Sequence, residues 1–95
     1  MQLDISAKAE NDIDALFLHG LMSFGEAEAS NYSSGLFDLF ELILDNPKIG
    51  RELVELKRHP RMISYQSHVV FYRVERRRVR ILRILHGKQN WVDHL

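Results

Sequence analysis

The chain begins with an alternation of apolar and polar residues that is typical of a short strand with one buried face. Met1, Leu3 and Ile5 alternate with Gln2, Asp4 and Ser6. Helical spacing follows, with a stripe formed by Ile13, Leu16, Phe17, Gly20 and Leu21. Ser6 is suited to cap this helix, because its side chain can accept a hydrogen bond from a backbone N–H of the first turn. We therefore predict a strand and then a helix over residues 7–22.

A second helical pattern begins at Glu26, after a brief break at residues 23–25. Its apolar stripe consists of Tyr32, Leu36, Leu39, Phe40 and Ile43. Asn46-Pro47 ends the helix, because a residue before proline is pushed away from helical dihedrals. So short a connection predicts antiparallel packing of the two helices. Phe37 and Leu44 lie off the stripe, which indicates either a wide buried face or an exposed apolar strip for a partner's helix.

The C-terminal half predicts three consecutive antiparallel strands. Residues 62–66, 68–75 and 78–86 are rich in Val, Ile, Phe and Tyr, and Gln66-Ser67 and Arg76-Arg77 separate them as turns. Residues 53–56 could form either a short edge strand or a loop. The order β-α-α-β-β-β predicts an α+β fold, with a helix hairpin packed on a curved, mainly antiparallel sheet. With 95 residues, we expect one domain over residues 1–95.

Charge is divided sharply along the chain although the formal net charge is zero. Residues 1–47 hold nine acids and one base, a net charge of −8. Residues 48–95 hold twelve Lys or Arg and four acids, a net charge of +8. This division predicts a strong dipole. It favours a polyanionic or acidic partner for the C-terminal half, unless the charges are simply solvated surface.

Several classes of function lack their sequence signals. Without cysteine, the chain has no disulfide, thiolate nucleophile or sulfur zinc ligand. The five histidines lack the i, i+4 spacing of a helical zinc motif, and no serine-nucleophile motif or phosphate-binding glycine loop is present. We therefore expect no metal and no cofactor, and find no positive case for an enzyme. No apolar run is long enough to span a membrane and no signal-peptide pattern occurs, which predicts a cytoplasmic protein.

One charged residue interrupts the apolar pattern of the last strand. Period two places Val79, Ile81, Arg83 and Leu85 on one face, and Arg78, Arg80, Leu82, Ile84 and His86 on the other. An unpaired buried guanidinium is costly. Arg83 must therefore either pair with an acid or carbonyl of this protein, or lie open in a concave surface where a ligand meets it.

Five segments, taken in order, resemble the ParE branch of the RelE/ParE toxin superfamily. They are Ala9, Asp12 and Ile13; Phe24-Gly25; Asn46-Pro47-Lys48-Ile49-Gly50-Arg51; Val70-Phe71-Tyr72-Arg73-Val74; and Val79-Arg80-Ile81-Leu82-Arg83-Ile84-Leu85-His86-Gly87. Each segment is common by itself, whereas their joint order and spacing are specific. The chain departs from the family pattern at Ala7, where a proline often follows the serine. It departs again at residues 88–91, which replace the usual basic-acidic ending.

The resemblance implies a toxin of a type II toxin-antitoxin system that inhibits DNA gyrase and blocks replication without being a conventional enzyme. It implies a cognate ParD-like antitoxin in a hetero-oligomer, DNA contact only through antitoxin or gyrase, and no membrane. RelE-type ribosome-dependent mRNA endonucleases belong to the same superfamily, but two of their basic positions align with Val69 and Gln89. This nuclease, with Arg83, His86 and Lys88 as its cleavage group, is the alternative. A non-toxic binding module is a third hypothesis.

We predict two sets of site residues. Arg83, His86, Lys88 and Trp91 would bind the target, because arginine donates paired hydrogen bonds to a carboxylate or phosphate and tryptophan is a strong interface anchor. The alternative is that Trp91 fills the edge of the core and Arg83 pairs internally. Phe37, Leu44, Arg73 and Arg80 would bind an acidic, amphipathic antitoxin segment that packs on the helix hairpin and reaches the basic sheet.

Overall fold

A computed structural model describes all 95 residues as two helices packed on a five-stranded sheet. The elements are β1 (Gln2–Ile5), α1 (Ala7–Phe24), α2 (Glu26–Asp45), β2 (Arg51–Glu52), β3 (Arg61–Tyr65), β4 (His68–Glu75), β5 (Arg78–His86) and a 3-10 turn (Trp91–His94). The strand order is β1-β5-β4-β3-β2, with β1 parallel to β5 and the other neighbours antiparallel. The predicted fold class is confirmed. Residues 53–56 form a loop, which follows the two-residue strand β2.

The helix hairpin is defined by two short sequence signals. The Ser6 side chain accepts a hydrogen bond from the Ala9 N–H at 3.0 Å, as the predicted cap requires. Gly25 is the only residue between the helices and has φ of 92°, a backbone conformation that glycine adopts without steric cost. Close to this turn, a Cβ built on Gly20 would lie 3.5 Å from the Ala29 Cβ. Small residues thus let the two helices approach each other closely.

The main core lies between the helices and one face of the sheet. Its nine buried residues are Ala9, Leu36, Phe40, Ile43, Val70, Tyr72, Val79, Ile81 and Ile84. The predicted α2 stripe supplies three of them, whereas Leu21 at the end of the α1 stripe is 37% exposed. The two off-stripe residues differ from each other. Leu44 packs partly buried against the core, and Phe37 is 41% exposed with its ring edge against Phe40.

A β-bulge in β5 corrects the predicted faces of this strand. Phe71 of β4 lies opposite Arg83 and Tyr72 lies opposite Ile81, so Leu82 is an extra residue without a partner. Alternation consequently restarts after Leu82, and the prediction that Val79, Ile81, Arg83 and Leu85 share one face is wrong. Val79, Ile81 and Ile84 face the helices. The Ser6 hydroxyl donates to the bulged Leu82 carbonyl at 2.9 Å, which gives that carbonyl a hydrogen-bond partner.

A second apolar cluster covers part of the sheet face that points away from the helices, called here the outer face. Its buried members are Leu53, Phe71 and Leu85, and Leu56, Met62, Val69, Leu82 and Trp91 pack against them. Leu53 and Leu56 belong to the loop after β2, and Trp91 belongs to the C-terminal turn. Both faces of the sheet are therefore partly buried, because the loop and the tail fold over the outer face.

Tyr72 connects the segment after α2 to the sheet. Its ring is fully buried, and its hydroxyl donates to the Pro47 carbonyl and accepts from the Gly50 N–H, both at 2.8 Å. Burial raises the pKa of Tyr72. A Cβ at Gly50 would lie 2.7 Å from the Tyr72 hydroxyl and 2.9 Å from the Met62 carbonyl oxygen. Glycine is required at position 50 because the tyrosine ring and the backbone of β3 occupy the space that a side chain would need.

Candidate functional site

A groove of about 530 Å³ lies on the outer face, between the start of α1, strands β4 and β5, the loop after β2 and the C-terminal turn. Its basic side chains are Lys8, Lys57, Arg73, Arg80 and Arg83. We call this surface the basic groove. Leu56, Leu82 and Val92 supply apolar surface between the charges. The combination suits a chain segment that carries both carboxylates and apolar side chains.

Two arginines of the basic groove, both predicted to bind the antitoxin, already have carboxylate partners within the chain. Arg73 contacts Glu75 through Nε at 2.8 Å and Nη2 at 2.7 Å, and Arg80 forms an ion pair with Asp4. Hydrogen bonds from Arg73 and Arg78 lower the pKa of Glu75. The side chains of Arg73 and Arg80 remain 22% and 31% exposed. Because a guanidinium has five N–H donors, each can bind a further carboxylate while its internal pair persists.

Arg83 pairs internally with Asp12, which was one of the two alternatives that the sequence left open. Arg83 Nε and Nη2 donate to the two oxygens of Asp12 at 2.8 and 3.0 Å, and Asp12 also accepts from the Ile84 N–H at 2.9 Å. These hydrogen bonds raise the pKa of Arg83. Asp12 thus accepts hydrogen bonds from both a side chain and a backbone N–H of β5, next to the bulge at Leu82. Sequence reasoning did not assign this partner, although Asp12 belongs to the segments that resemble ParE.

Two of the four predicted target-binding residues, Arg83 and His86, border one small cavity, and Trp91 does not border it. Arg83 borders the basic groove with its side chain 17% exposed, and Trp91 packs on Phe71 with ring centroids 5.4 Å apart. His86 and Lys88 are exposed at the end of β5, where the Lys88 N–H donates to His86 Nδ1 at 3.2 Å. Trp91 and Arg83 therefore make the contacts of the structural alternative, in which Trp91 fills the edge of the core and Arg83 pairs within the chain. Their role in target binding stays a prediction.

The predicted antitoxin-binding residues also fall into two groups. Phe37 and Leu44 belong to α2, whereas Arg73 and Arg80 lie on the opposite side of the molecule, in the basic groove. A partner that contacts both groups must pass around an edge of the sheet. A long, extended antitoxin segment can do this, whereas a single short helix cannot.

Sequence reasoning missed a cluster of imidazole rings and a tyrosine at the end of the molecule near Gly25. The Tyr32 hydroxyl lies 2.6 Å from His68 Nδ1, and the rings of His68 and His86 have centroids 5.4 Å apart. Burial, followed by the proximity of His86 and His19, lowers the pKa of His68. These residues come from α1, α2, β4 and β5, so no local motif contains them.

The structure offers neither a metal site nor a membrane-spanning helix. No group of three or more His, Asp or Glu side chains is placed to hold a metal ion. Neither helix combines the length and the apolar character that crossing a membrane requires.

The architecture defines a class of small α+β domains in which a helix hairpin covers one face of a mixed sheet and leaves a basic groove on the other. The family model described as ParE toxin of type II toxin-antitoxin system, parDE, matches residues 3–91. Toxin ParE1 of Caulobacter vibrioides is 34% identical over 91 residues, which cover 96% of this chain and 94% of that protein. The chain therefore belongs to the ParE toxin family of type II toxin-antitoxin systems.

A solved structure gives the same architecture independently. It is described as the chromosomal ParDE TA system from P. aeruginosa and superimposes with a TM-score of 0.77 at 23% identity. The match covers 90% of this chain and 95% of that one. The resemblance predicted from the five segments is confirmed, both for the family and for the fold.

Proposed function

We propose that this protein inhibits DNA gyrase by binding it, and that a ParD-like antitoxin neutralises it by direct binding. The observation that carries the proposal is the ParE family match over residues 3–91. A solved relative of the same fold belongs to a ParDE system, which supports a partner of the ParD kind here. Inhibition by binding, with no bond cleaved by this protein, agrees with the apolar and amide side chains at the two compared RelE positions, Val69 and Gln89.

The basic groove is the surface to which we assign the acidic part of the antitoxin. Five cationic side chains and five apolar ones border a volume of about 530 Å³ there. The antitoxin's carboxylates would bind the exposed donors of Arg73 and Arg80, and its apolar residues would cover Leu56 and Leu82. Phe37 and Leu44 would contact a second part of the same antitoxin on α2. The target-binding role stays with Arg83, His86, Lys88 and Trp91.

Gyrase inhibition is tested with purified protein in a DNA supercoiling assay. We expect loss of supercoiling and accumulation of linear DNA, because a poisoned gyrase leaves its DNA cleaved. Lys88→Ala, at an exposed predicted target-binding residue, should weaken both effects while circular dichroism stays near that of the full chain. Arg78→Ala is a matched control, because Arg78 is an exposed arginine of β5 that does not border the basic groove.

The chemistry is tested separately with His86→Gln, which keeps a hydrogen-bonding side chain but cannot act as a proton-transfer base. A folded His86→Gln protein should remain toxic, because its amide can still form hydrogen bonds. If it is inert against growth, and the wild type cuts mRNA in a translation assay without affecting gyrase, the protein is a ribosome-dependent nuclease and the proposal is wrong.

Antitoxin binding is tested by the salt dependence of affinity. Binding of a ParD-like partner should weaken as salt rises, since exposed charges are screened. Arg73→Ala and Arg80→Ala should reduce both the affinity and its salt dependence, and Phe37→Glu should reduce the affinity alone. Equal affinity at low and high salt, with all three variants binding like the wild type, would remove the basic groove and α2 from the interface.

A further inference from the structure

Two adjoining cavities of about 370 and 310 Å³ open at the end of the molecule near Gly25. They share four residues: Leu16, His19, His68 and His86. We call this combined space the imidazole cleft. Tyr32, Ser67 and Glu28 border its larger part, and the Arg83–Asp12 pair borders its smaller part. It lies apart from the basic groove except for Arg83, which reaches both. The proposed function uses Arg83 and His86 at its border but assigns no small ligand to the cleft itself.

Hydrogen bonds within the chain determine which ring nitrogens of the cleft can bind a ligand. His86 Nδ1 accepts from the Lys88 N–H at 3.2 Å, so the neutral His86 ring carries its proton on Nε2. The Tyr32 hydroxyl is 2.6 Å from His68 Nδ1 and 3.4 Å from the Tyr65 carbonyl oxygen, so His68 Nδ1 is engaged within the chain. Once His68 is protonated, its ring carries a proton on Nε2 whichever way the hydrogen bond to Tyr32 runs. Neither Nε2 atom has a hydrogen-bond partner within the chain.

The protonation of the cleft selects the class of ligand. A transition metal needs a deprotonated ring nitrogen, whereas a protonated imidazole presents N–H donors at both ring nitrogens. Two donors on neighbouring rings fit a ligand with several acceptor oxygens. One nearby carboxylate, Asp12, is already neutralised by Arg83 and occupied by the Ile84 N–H. The other, Glu28, borders the larger cavity away from Arg83.

The charge of the surrounding helices limits the size of an anionic ligand. Helices α1 and α2 carry eight acids and one base. A polynucleotide that placed a phosphate in the cleft would bring its other phosphates against this acidic layer, which repels them. A small anion enters the cleft without meeting that surface.

We propose that the imidazole cleft binds a small tetrahedral oxyanion of the phosphate type, held by the Nε2–H groups of His68 and His86, with His19 at its edge. The charged and titratable groups that border the cleft or contact its rings are His19 and Asp12 from α1, Glu28 and Tyr32 from α2, Tyr65 from β3, and Arg83 and His86 from β5. Protonation of the imidazoles adds positive charge that a bound anion stabilises. Binding therefore strengthens as pH falls through the histidine range.

The direct test is a titration of the full chain with inorganic phosphate, followed by NMR of the histidine ring resonances at constant ionic strength in chloride. We expect saturable shifts at His68 and His86, a smaller shift at His19, and none at His59. Sulfate keeps its double negative charge across the range, so it measures the effect of protein protonation. Its affinity should rise by about tenfold between about pH 7.5 and about pH 5.5, in line with uptake of about half a proton on binding when averaged over that range.

Variants separate the cleft from general attraction of anions to basic surface. His86→Ala removes one donor on an exposed residue and should weaken phosphate binding about tenfold, as expected for the loss of a charge-assisted hydrogen bond. His59→Ala is the matched control, because His59 lies in the loop before β3, where it contacts Glu52. Its phosphate affinity should equal that of the wild type.

Three results would overturn the proposal. One is the absence of any phosphate shift at His68 and His86 in the folded wild type. Another is a non-saturating shift of all five histidines, which would indicate screening only. The third is a duplex oligonucleotide that binds the same two rings more tightly than phosphate does, which would make the ligand a nucleic acid. None of these measurements involves gyrase or an antitoxin, so they test the cleft independently of the proposed function.

Discussion

Two tyrosines link the helix layer to the sheet at opposite ends of α2, in very different surroundings. Tyr72 is fully buried, and its hydroxyl bonds to two backbone groups, the Pro47 carbonyl and the Gly50 N–H. Tyr32 is partly exposed, borders an open cleft, and directs its hydroxyl to His68. The Tyr72 hydroxyl has no partner that titrates near neutral pH, whereas the Tyr32 hydroxyl has one, His68.

The difference indicates that the Tyr72 connection is independent of pH near neutrality, whereas the Tyr32 connection depends on it. Backbone groups keep the same hydrogen-bonding capacity at every pH, so the Tyr72 connection stabilises the fold without regulation. An imidazole loses its acceptor when Nδ1 takes up a proton, so the Tyr32 connection depends on pH and on any ligand of the imidazole cleft. We expect substitutions at the two ends to differ in magnitude and in pH dependence.

The largest effect should come from Gly50→Ala at the buried end. The added methyl group would lie 2.7 Å from the Tyr72 hydroxyl and 2.9 Å from the Met62 carbonyl oxygen. Overpacking of this kind should reduce the free energy of unfolding by about 3 kcal/mol, measured by urea denaturation. Gly87→Ala is the control, because its Cβ would approach only the Ser67 carbonyl oxygen at 3.4 Å. Equal losses in the two variants would contradict the close packing at Gly50.

Removing the two hydroxyls in turn compares the tyrosines directly. Tyr72→Phe leaves the Gly50 N–H and the Pro47 carbonyl without their partner in a buried site, which should cost about 2 kcal/mol. Tyr32→Phe should cost less than about 1 kcal/mol above neutral pH, since water can reach the His68 side of the cleft. Denaturation of both variants in one buffer measures the difference. A larger loss for Tyr32→Phe would reverse the comparison.

Stability should depend on pH through the open end. The pKa of His68 is lowered in the folded protein from 6.5, so the unfolded chain takes up this proton first as pH falls. The free energy of unfolding should therefore decrease below about pH 6.5 and level off once the folded His68 is also protonated. His68→Gln should flatten this part of the profile, and Tyr72→Phe should lower the whole profile without changing its slope. An unchanged slope in His68→Gln would assign the titration to another histidine.

The smallest effect should come from the charged edge of the basic groove, at Glu75→Gln. The pKa of Glu75 is lowered by its hydrogen bonds from Arg73 and Arg78, so its contribution is present at neutral pH and is lost as pH falls below its ordinary value of 4.5. Because the pair lies at the surface, we expect a loss of less than about 1 kcal/mol that disappears in acid. A loss above that of Tyr72→Phe would place the ion pair among the main supports of the fold.

Local patterns in the sequence were enough to predict most elements of this fold and one of its caps. Ser6, the break at Gly25 and the turns at residues 66–67 and 76–77 act through near neighbours in the chain. The α2 stripe likewise predicted which residues are buried, because helical periodicity places Leu36, Phe40 and Ile43 on one side. The order and spacing of the five segments were enough to identify the family.

The candidate sites depended on contacts between distant parts of the chain. Arg83 signalled a need for a partner, but Asp12 lies 71 positions away and meets it only because α1 crosses β5. The Tyr32–His68 contact spans 36 positions and forms because the first turns of α2 lie beside the β3–β4 turn. Composition and spacing carry no information about such crossings, so neither the imidazole cleft nor the internal pairs of the basic groove could be predicted.

The bulge at Leu82 shows most clearly where sequence patterns stop predicting the structure. Period-two alternation follows from the backbone geometry of a regular strand, and it correctly placed Val79 and Ile81 on one face, which is the face toward the helices. It failed after Leu82 because the pairing of β5 with β4 shifts there by one residue. The sequence by itself determined the elements, since those depend on neighbours in the chain. Only the tertiary structure decided which face Arg83, Ile84 and Leu85 occupy, because strand register is a property of two strands together.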